Sequence, residues 1–191
     1  EAWCRAVAAV KPLRRGRFGM LGHTYPGMID MSTDVGVVAS ELGAHVEILE
    51  IEDVRDRARA ATKEQVEAAL DEARGLLRFA SDISPEGLEG GTRIAAGMRS
   101  LVEDFALDGL AYYYRGSNGD EIEQLASNMI LGNTLLTTAG VPAAGEGDLK
   151  TALAMKLMHG LTGGGSFTEF NAMDFRENFF LMGHDGPGHL A

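Results

Sequence analysis

Cysteine is almost absent: Cys4 is the single one in 191 residues. One thiol excludes an internal disulfide framework and a Cys-rich zinc site, and it suits a reducing, cytoplasmic setting. Positive charge is also scarce. Lys and Arg number 17 against 28 Asp and Glu, for a formal net charge of -11. Nucleic acid and anionic membranes both need clustered Lys and Arg to replace counterions, so neither is expected as the main partner. Long hydrophobic runs are missing too. None approaches the roughly 20 apolar residues of a membrane span, and no stretch reads as a signal peptide. What remains is ordinary globular material, 45% hydrophobic and 24% charged, enough for one full domain or one domain with part of a second.

Along the chain, apolar strand-like runs alternate with helical stripes. Trp3, Val7 and Val10 sit at helical spacing. Phe18 to Leu21 is a short apolar run that ends in Gly-His-Thr-Tyr-Pro-Gly at 22–27, a strand feeding a loop. Residues 29–42 regain helical character, and Ala44 to Ile51 is a second β-branched run. Thr62 with Gln65 forms a capping-box pattern ahead of a stripe of Val66, Ala69, Leu70, Ala73, Leu76 and Leu77. Ser84-Pro85-Glu86 marks another helix start, whose stripe runs through Ile94, Met98, Leu101, Val102 and Phe105.

Gly109 to Tyr114 is a buried-strand candidate, followed by a polar loop from Arg115 to Gly119. A helix then opens at Asp120 and Glu121 and continues through Ile122, Leu125, Ala126, Met129 and Ile130. This alternation predicts an α/β fold with a flavodoxin-like parallel sheet and helices on both faces. The glycine-rich stretch Gly160 to Gly165 breaks the pattern. Beyond it, Ser166 to Phe175 and Asn178 to Gly183 read as two strands with no helix between them. The expected division is an α/β domain over 1–160 and the first strands of a β domain over 161–191.

Phosphate loops can be set aside. Gly145-Glu146-Gly147-Asp148-Leu149-Lys150-Thr151 ends in Lys-Thr but lacks the glycine before the lysine, and it places two carboxylates where phosphate would sit. Gly16, Gly19 and Gly22 do not match the dinucleotide fingerprint, and neither HExxH nor CxxC occurs. The loop at 22–27 follows the first strand, on the side of a parallel sheet where ligands bind. His23 and Tyr25 either face a ligand there or belong to a plain surface turn.

Glu146 precedes a helix with apolar Leu149, Ala152, Leu153 and Leu157, so its carboxylate could serve that helix N-terminus, although Asp148 is the better N-cap. Period-two alternation puts Glu169 on one face with Phe167, Asn171 and Met173, and His184 on one face with Phe180 and Met182. A carboxylate and an imidazole on apolar faces of adjacent strands suggest a shared partner, most simply a divalent cation. Carboxylates with one imidazole suit Mn²⁺ or another hard-to-borderline divalent cation better than a structural zinc. The spacings, from 146 to 169 and from 169 to 184, match no compact ligand motif. Asp174, Asp185 and His189 compete for the same roles.

Taken together, the tail is far more specific. Gly145-Glu146-Gly147-Asp148-Leu149-Lys150-Thr151-Ala152, then Gly163-Gly164-Gly165-Ser166-Phe167-Thr168-Glu169, then Leu181-Met182-Gly183-His184 closely resembles the L-arabinose isomerase family, within the wider L-fucose/L-arabinose isomerase group. The Gly-x-x-Tyr-Pro-Gly-Met stretch at 22–28 is similar to that family's central-domain entry.

This resemblance implies an intracellular aldose–ketose isomerase, usually Mn²⁺-dependent, that acts on a pentose or deoxyhexose through an enediol. It implies trimers or hexamers with sites built between subunits. Two Glu and two His bind the metal in such enzymes, and the two Glu also move protons between C1 and C2. Glu146, Glu169 and His184 match the first three ligands. The fourth, a downstream His, has no counterpart; His189 is too close in sequence to replace it and is counted with His23 and Tyr25 as a substrate-binding candidate. The expectation is therefore a piece of a longer protein, cut at both ends, with weak metal affinity and little or no catalysis of its own. Phe170-Asn171-Ala172-Met173-Asp174 and the segment from His184 to His189 depart from the arabinose pattern, which leaves the sugar open. The alternative is a non-catalytic flavodoxin-like module that binds sugar, or forms oligomers, through the loop around His23 and Tyr25.

Overall fold

Four short strands set the frame: β1 (Arg17–Gly22), β2 (His45–Leu49), β3 (Gly109–Tyr113) and β4 (Ala143–Ala144). The computed structural model describes residues 1–115 and 119–190, so 116–118, in the polar loop expected from Arg115 to Gly119, lie outside the described residues. All pairings among the four strands are parallel, in the order β2-β1-β3-β4. These are the first four positions of the flavodoxin-like order.

Helices cover both faces of the sheet. Strand alternation sends Leu21, Leu49 and Leu110 to one side, where they meet Val54, Met98, Leu101 and Leu136. Those partners come from α3 (Ile51–Ala60), α5 (Pro85–Phe105) and α7 (Ile130–Thr138). Phe18, Ala111 and Ala144 point the other way, onto Leu149, Ala152 and Met155 of α8 (Leu149–Thr162). Outside α8 lies α1 (Ala2–Val10). The two helices touch closely enough that a Cβ at Gly160 would lie 3.1 Å from Ala9 Cα. The stripe of Trp3, Val7 and Val10 faces away from this contact and is exposed, with Ala9 buried in its place.

Several helix starts follow the expected chemistry. Thr62 and Gln65 make the reciprocal capping box of α4 (Lys63–Leu76), and Ser84 accepts from the Gly87 N–H ahead of Pro85. Asp120 caps α6 (Glu121–Ser127) through the Glu123 N–H.

Other expectations need correction. The helix over 29–42 is broken: a 3-10 turn (Ile29–Met31) precedes α2 (Val35–Val37), which widens into a π turn (Val38–Leu42). Ile51 does not end a strand but opens α3, where Asp53 Oδ2 accepts the Glu50 N–H at 3.0 Å. Leu77 lies past the end of α4. The helix expected through Met129 and Ile130 is interrupted after Ser127 and restarts as α7.

Beyond α8, β5 (Glu169–Asp174) and β6 (Phe179–Gly183) form an antiparallel hairpin. Asp174 Oδ1 accepts from the Arg176 and Glu177 N–H groups and shapes its turn. The hairpin's apolar side chains are exposed, Phe170 at 66% and Phe180 at 62%. Among the described residues, no helix is long and apolar enough to cross a membrane.

Candidate metal centre

The two-residue strand β4 delivers Glu146 to the carboxyl edge of the sheet. Two consecutive left-handed residues follow it, Glu146 at φ 60 and Gly147 at φ 69. Their backbone is stitched to the loop after β1 and to β3. The Tyr25 N–H donates to Glu146 O at 2.9 Å, and the Gly147 N–H donates to Tyr112 O at 3.0 Å. Glycine is required at 147, because a Cβ there would lie 2.6 Å from His23 O and 2.8 Å from Thr24 Cα. No such need explains Glu146, where left-handed backbone costs an L-residue about 1–2 kcal/mol.

Capping of α8 falls to Asp148, which accepts from the Thr151 N–H at 3.0 Å and from the Thr151 hydroxyl at 2.6 Å. The Glu146 carboxyl is thus released from helix duty. Among the described residues, its Oε2 is buried with no hydrogen-bond partner. Burial pushes the Glu146 carboxyl above its ordinary range, the neighbouring Glu169 charge adds to the rise, and His184 opposes it. A half-buried, strained carboxylate beside a second carboxylate is held at a cost, the pattern of a residue kept for what it does.

The hairpin register supplies the other two groups. Glu169, the first residue of β5, lies opposite Gly183 of β6, which brings it beside His184. One ligand atom from each of Glu146, Glu169 and His184 can be chosen so that all lie within 4.8 Å of one another. His184 stacks edge-on against the buried Phe167, with ring centroids 4.8 Å apart. Its Nδ1 accepts the Gly186 N–H at 3.0 Å, so a cation taken by either ring nitrogen displaces this bond.

The expected apolar strand faces are not what gathers these groups. Glu169 is exposed, Phe167 lies before β5, a register shift between Phe170 and Ala172 breaks the alternation, and His184 lies just past the end of β6. Pairing across the hairpin places them, not burial.

His23 and Tyr25 lie in the loop whose backbone meets the Glu146 segment, through the Tyr25 N–H on Glu146 O. The exposed His23 ring meets the Tyr113 ring edge-on at 5.2 Å, and the Tyr25 and Tyr113 rings are 4.6 Å apart. Tyr113 was not among the candidates read from the sequence. Its place at the carboxyl end of β3 was the available signal, but three consecutive tyrosines hid it. Burial raises the Tyr113 phenol, and Tyr25 and Glu146 raise it further against Arg115. His189 stands apart. Its ring packs on Gly164, and its N–H donates to Ser166 Oγ at 2.8 Å.

Two carboxylates and an imidazole converging on one point fit a hard-to-borderline divalent cation, and Glu146 Oε2 is a donor atom without a partner among the described residues.

No protein-family profile matches the chain. It is 30% identical over 177 residues to the L-arabinose isomerase of Acidothermus cellulolyticus, which covers 88% of this chain and 34% of that protein. Against the L-arabinose isomerase of Clavibacter sepedonicus it is 30% identical over 183 residues, or 87% of this chain and 34% of that protein. The chain thus spans about a third of the length of the curated relatives it matches. By sequence, along most of its own length, the chain is related to the L-arabinose isomerase family.

Proposed function

We propose that this chain carries the metal-binding face of an aldose–ketose sugar isomerase, with Glu146, Glu169 and His184 as ligands of Mn²⁺ or a similar cation. The observation that supports this best is the convergence of their ligand atoms within 4.8 Å at the carboxyl edge of a parallel sheet. The relatives named L-arabinose isomerase support the reaction class. The cation, when bound, would stabilise charge developing on the sugar oxygens and let clustered carboxylates coexist.

The remaining chemistry falls to the chain's own groups. Converting an aldose to a ketose moves a proton from C2 to C1 and another from the C2 hydroxyl to the carbonyl oxygen, through an enediol. Glu146, whose carboxyl is pushed up by burial, is suited to hold a proton between these positions. Glu169, exposed to solvent, is the second carboxylate and serves as the acid–base partner. His184 orients against Phe167 and adds a neutral donor. His23 and Tyr25 bound the sugar side. The same reading carries a cytoplasmic homo-oligomer acting on a pentose or deoxyhexose, with the α/β domain over 1–160 and a β unit from 161.

Solvent-proton exchange tests the proposal. In D₂O with Mn²⁺ and a panel of aldopentoses, we expect slow, metal-dependent deuterium incorporation at C1 or C2 of one sugar. Glu146→Gln or Glu169→Gln should reduce it by about 100-fold or more. Incorporation that survives both changes contradicts the proposal. Calorimetric binding of sugar without metal would favour the non-catalytic module.

A further inference from the structure

We infer that Tyr113 and Tyr25 form one wall of the sugar pocket and read hydroxyls of the substrate chain beyond its reacting end. This rests on the isomerase reading above and adds a specificity element to it. Strand alternation sorts Tyr112 and Tyr113, the two tyrosines that end β3. Tyr112 turns to the face of Leu110 and packs against that core, and burial raises its phenol to about 12. Tyr113 turns to the opposite face, toward the loop at 22–27.

There it meets Tyr25 with ring centroids 4.6 Å apart at 47°, while His23 closes the corner edge-on. Both tyrosines are only half-buried, so part of each side chain reaches solvent, and Tyr113 lies near enough to Glu146 to feel its charge. The wall is fixed to the Glu146 segment by backbone on each side. His23 N–H donates to Tyr113 O at 3.0 Å, and Tyr25 N–H donates to Glu146 O at 2.9 Å.

A half-buried pair of phenols offers what a neutral polyol needs: apolar faces for the C–H groups and hydroxyls that both donate and accept. The carboxylates and the imidazole face the reacting carbons, so these phenols are left for the rest of the chain. Tyr113 is in this sense a specificity residue and not a ligand.

Calorimetry with the whole chain separates the two readings. Wild type and Tyr113→Phe are titrated first with Mn²⁺, then, saturated with it, with the acyclic pentitols arabinitol and ribitol, which cannot isomerise. Circular dichroism confirms that the variant folds. We expect Tyr113→Phe to bind Mn²⁺ within about twofold of wild type and the preferred pentitol about five- to tenfold more weakly, the worth of one neutral hydrogen bond. Tyr25→Phe should weaken it comparably. Unchanged pentitol affinity in Tyr113→Phe, or no pentitol binding by Mn²⁺-loaded wild type, overturns the wall while leaving the metal reading intact. Equal losses of Mn²⁺ and pentitol overturn it as well, since Tyr113 would then act by holding Glu146. Failure of wild type to bind Mn²⁺ overturns the metal reading itself, and the wall with it.

Discussion

Replacing Glu146 with Gln should stabilise the metal-free protein and destroy its response to Mn²⁺. Gln keeps the side-chain shape and the left-handed φ of 60, so the substitution isolates the charge. With ligand atoms within 4.8 Å, Glu146 and Glu169 repel by about 0.9 kcal/mol at the dielectric of water and about 3.5 kcal/mol at an effective value of 20. Because Glu169 is exposed, the lower figure applies, and screening trims it further.

In a domain of this size, a gain of about 1 kcal/mol raises Tm by roughly 2–4 °C. Mn²⁺ at about 100 times its Kd adds about 2.7 kcal/mol to wild type, or roughly 5–10 °C. Thermal unfolding of both proteins in EDTA and in Mn²⁺ therefore gives a crossing: the variant melts higher without metal and lower with it. A variant that melts lower in EDTA would refute the view that Glu146 is held at a cost. A variant that still gains several degrees from Mn²⁺ would remove it from the ligand set.

Two further perturbations report on the same loop. Gly147→Ala puts a Cβ 2.6 Å from His23 O in a left-handed residue, so it should cost at least about 2 kcal/mol in chemical denaturation and weaken Mn²⁺ binding, since the Glu146 backbone moves with it. The pH profile has a definite sign. The folded Glu146 carboxyl lies above its unfolded value, so its contribution to metal-free stability is fully present below the ordinary carboxylate range and is lost as pH rises through the raised value. Mn²⁺ needs the ionised form, so its affinity should begin to fall, as pH drops, at a higher pH than for an ordinary exposed carboxylate. Glu146→Gln should flatten the stability profile.

Much of this was legible from local chemistry. The Thr62–Gln65 box, the Ser84-Pro85 start and the Asp148 cap each need only a few neighbouring residues, and each forms as expected. Helix α3 escaped notice because its N-terminus is closed by Glu50 and Asp53, without the Ser or Thr of the usual signature, directly after a β-branched run. The three candidate ligands stand out by motif, yet alternation is not what groups Glu169 with His184. Alternation assumes an unbroken strand with a buried face, and neither holds in a bulged, exposed hairpin. What brings Glu169 to His184 is cross-strand register, which depends on where the turn falls. Tyr113 stayed hidden for a related reason. In a run of three tyrosines, only knowing which face of β3 meets the core separates Tyr112 from its neighbour.

The most direct test of a cation held jointly by the β4 loop and the hairpin is pulsed electron paramagnetic resonance of the Mn²⁺-loaded chain. One nitrogen coupling of imidazole type is predicted for wild type, retained in His23→Ala and His189→Ala and lost in His184→Ala. Stoichiometric Mn²⁺ with no nitrogen coupling, or a coupling that survives His184→Ala, would contradict a centre built from Glu146, Glu169 and His184.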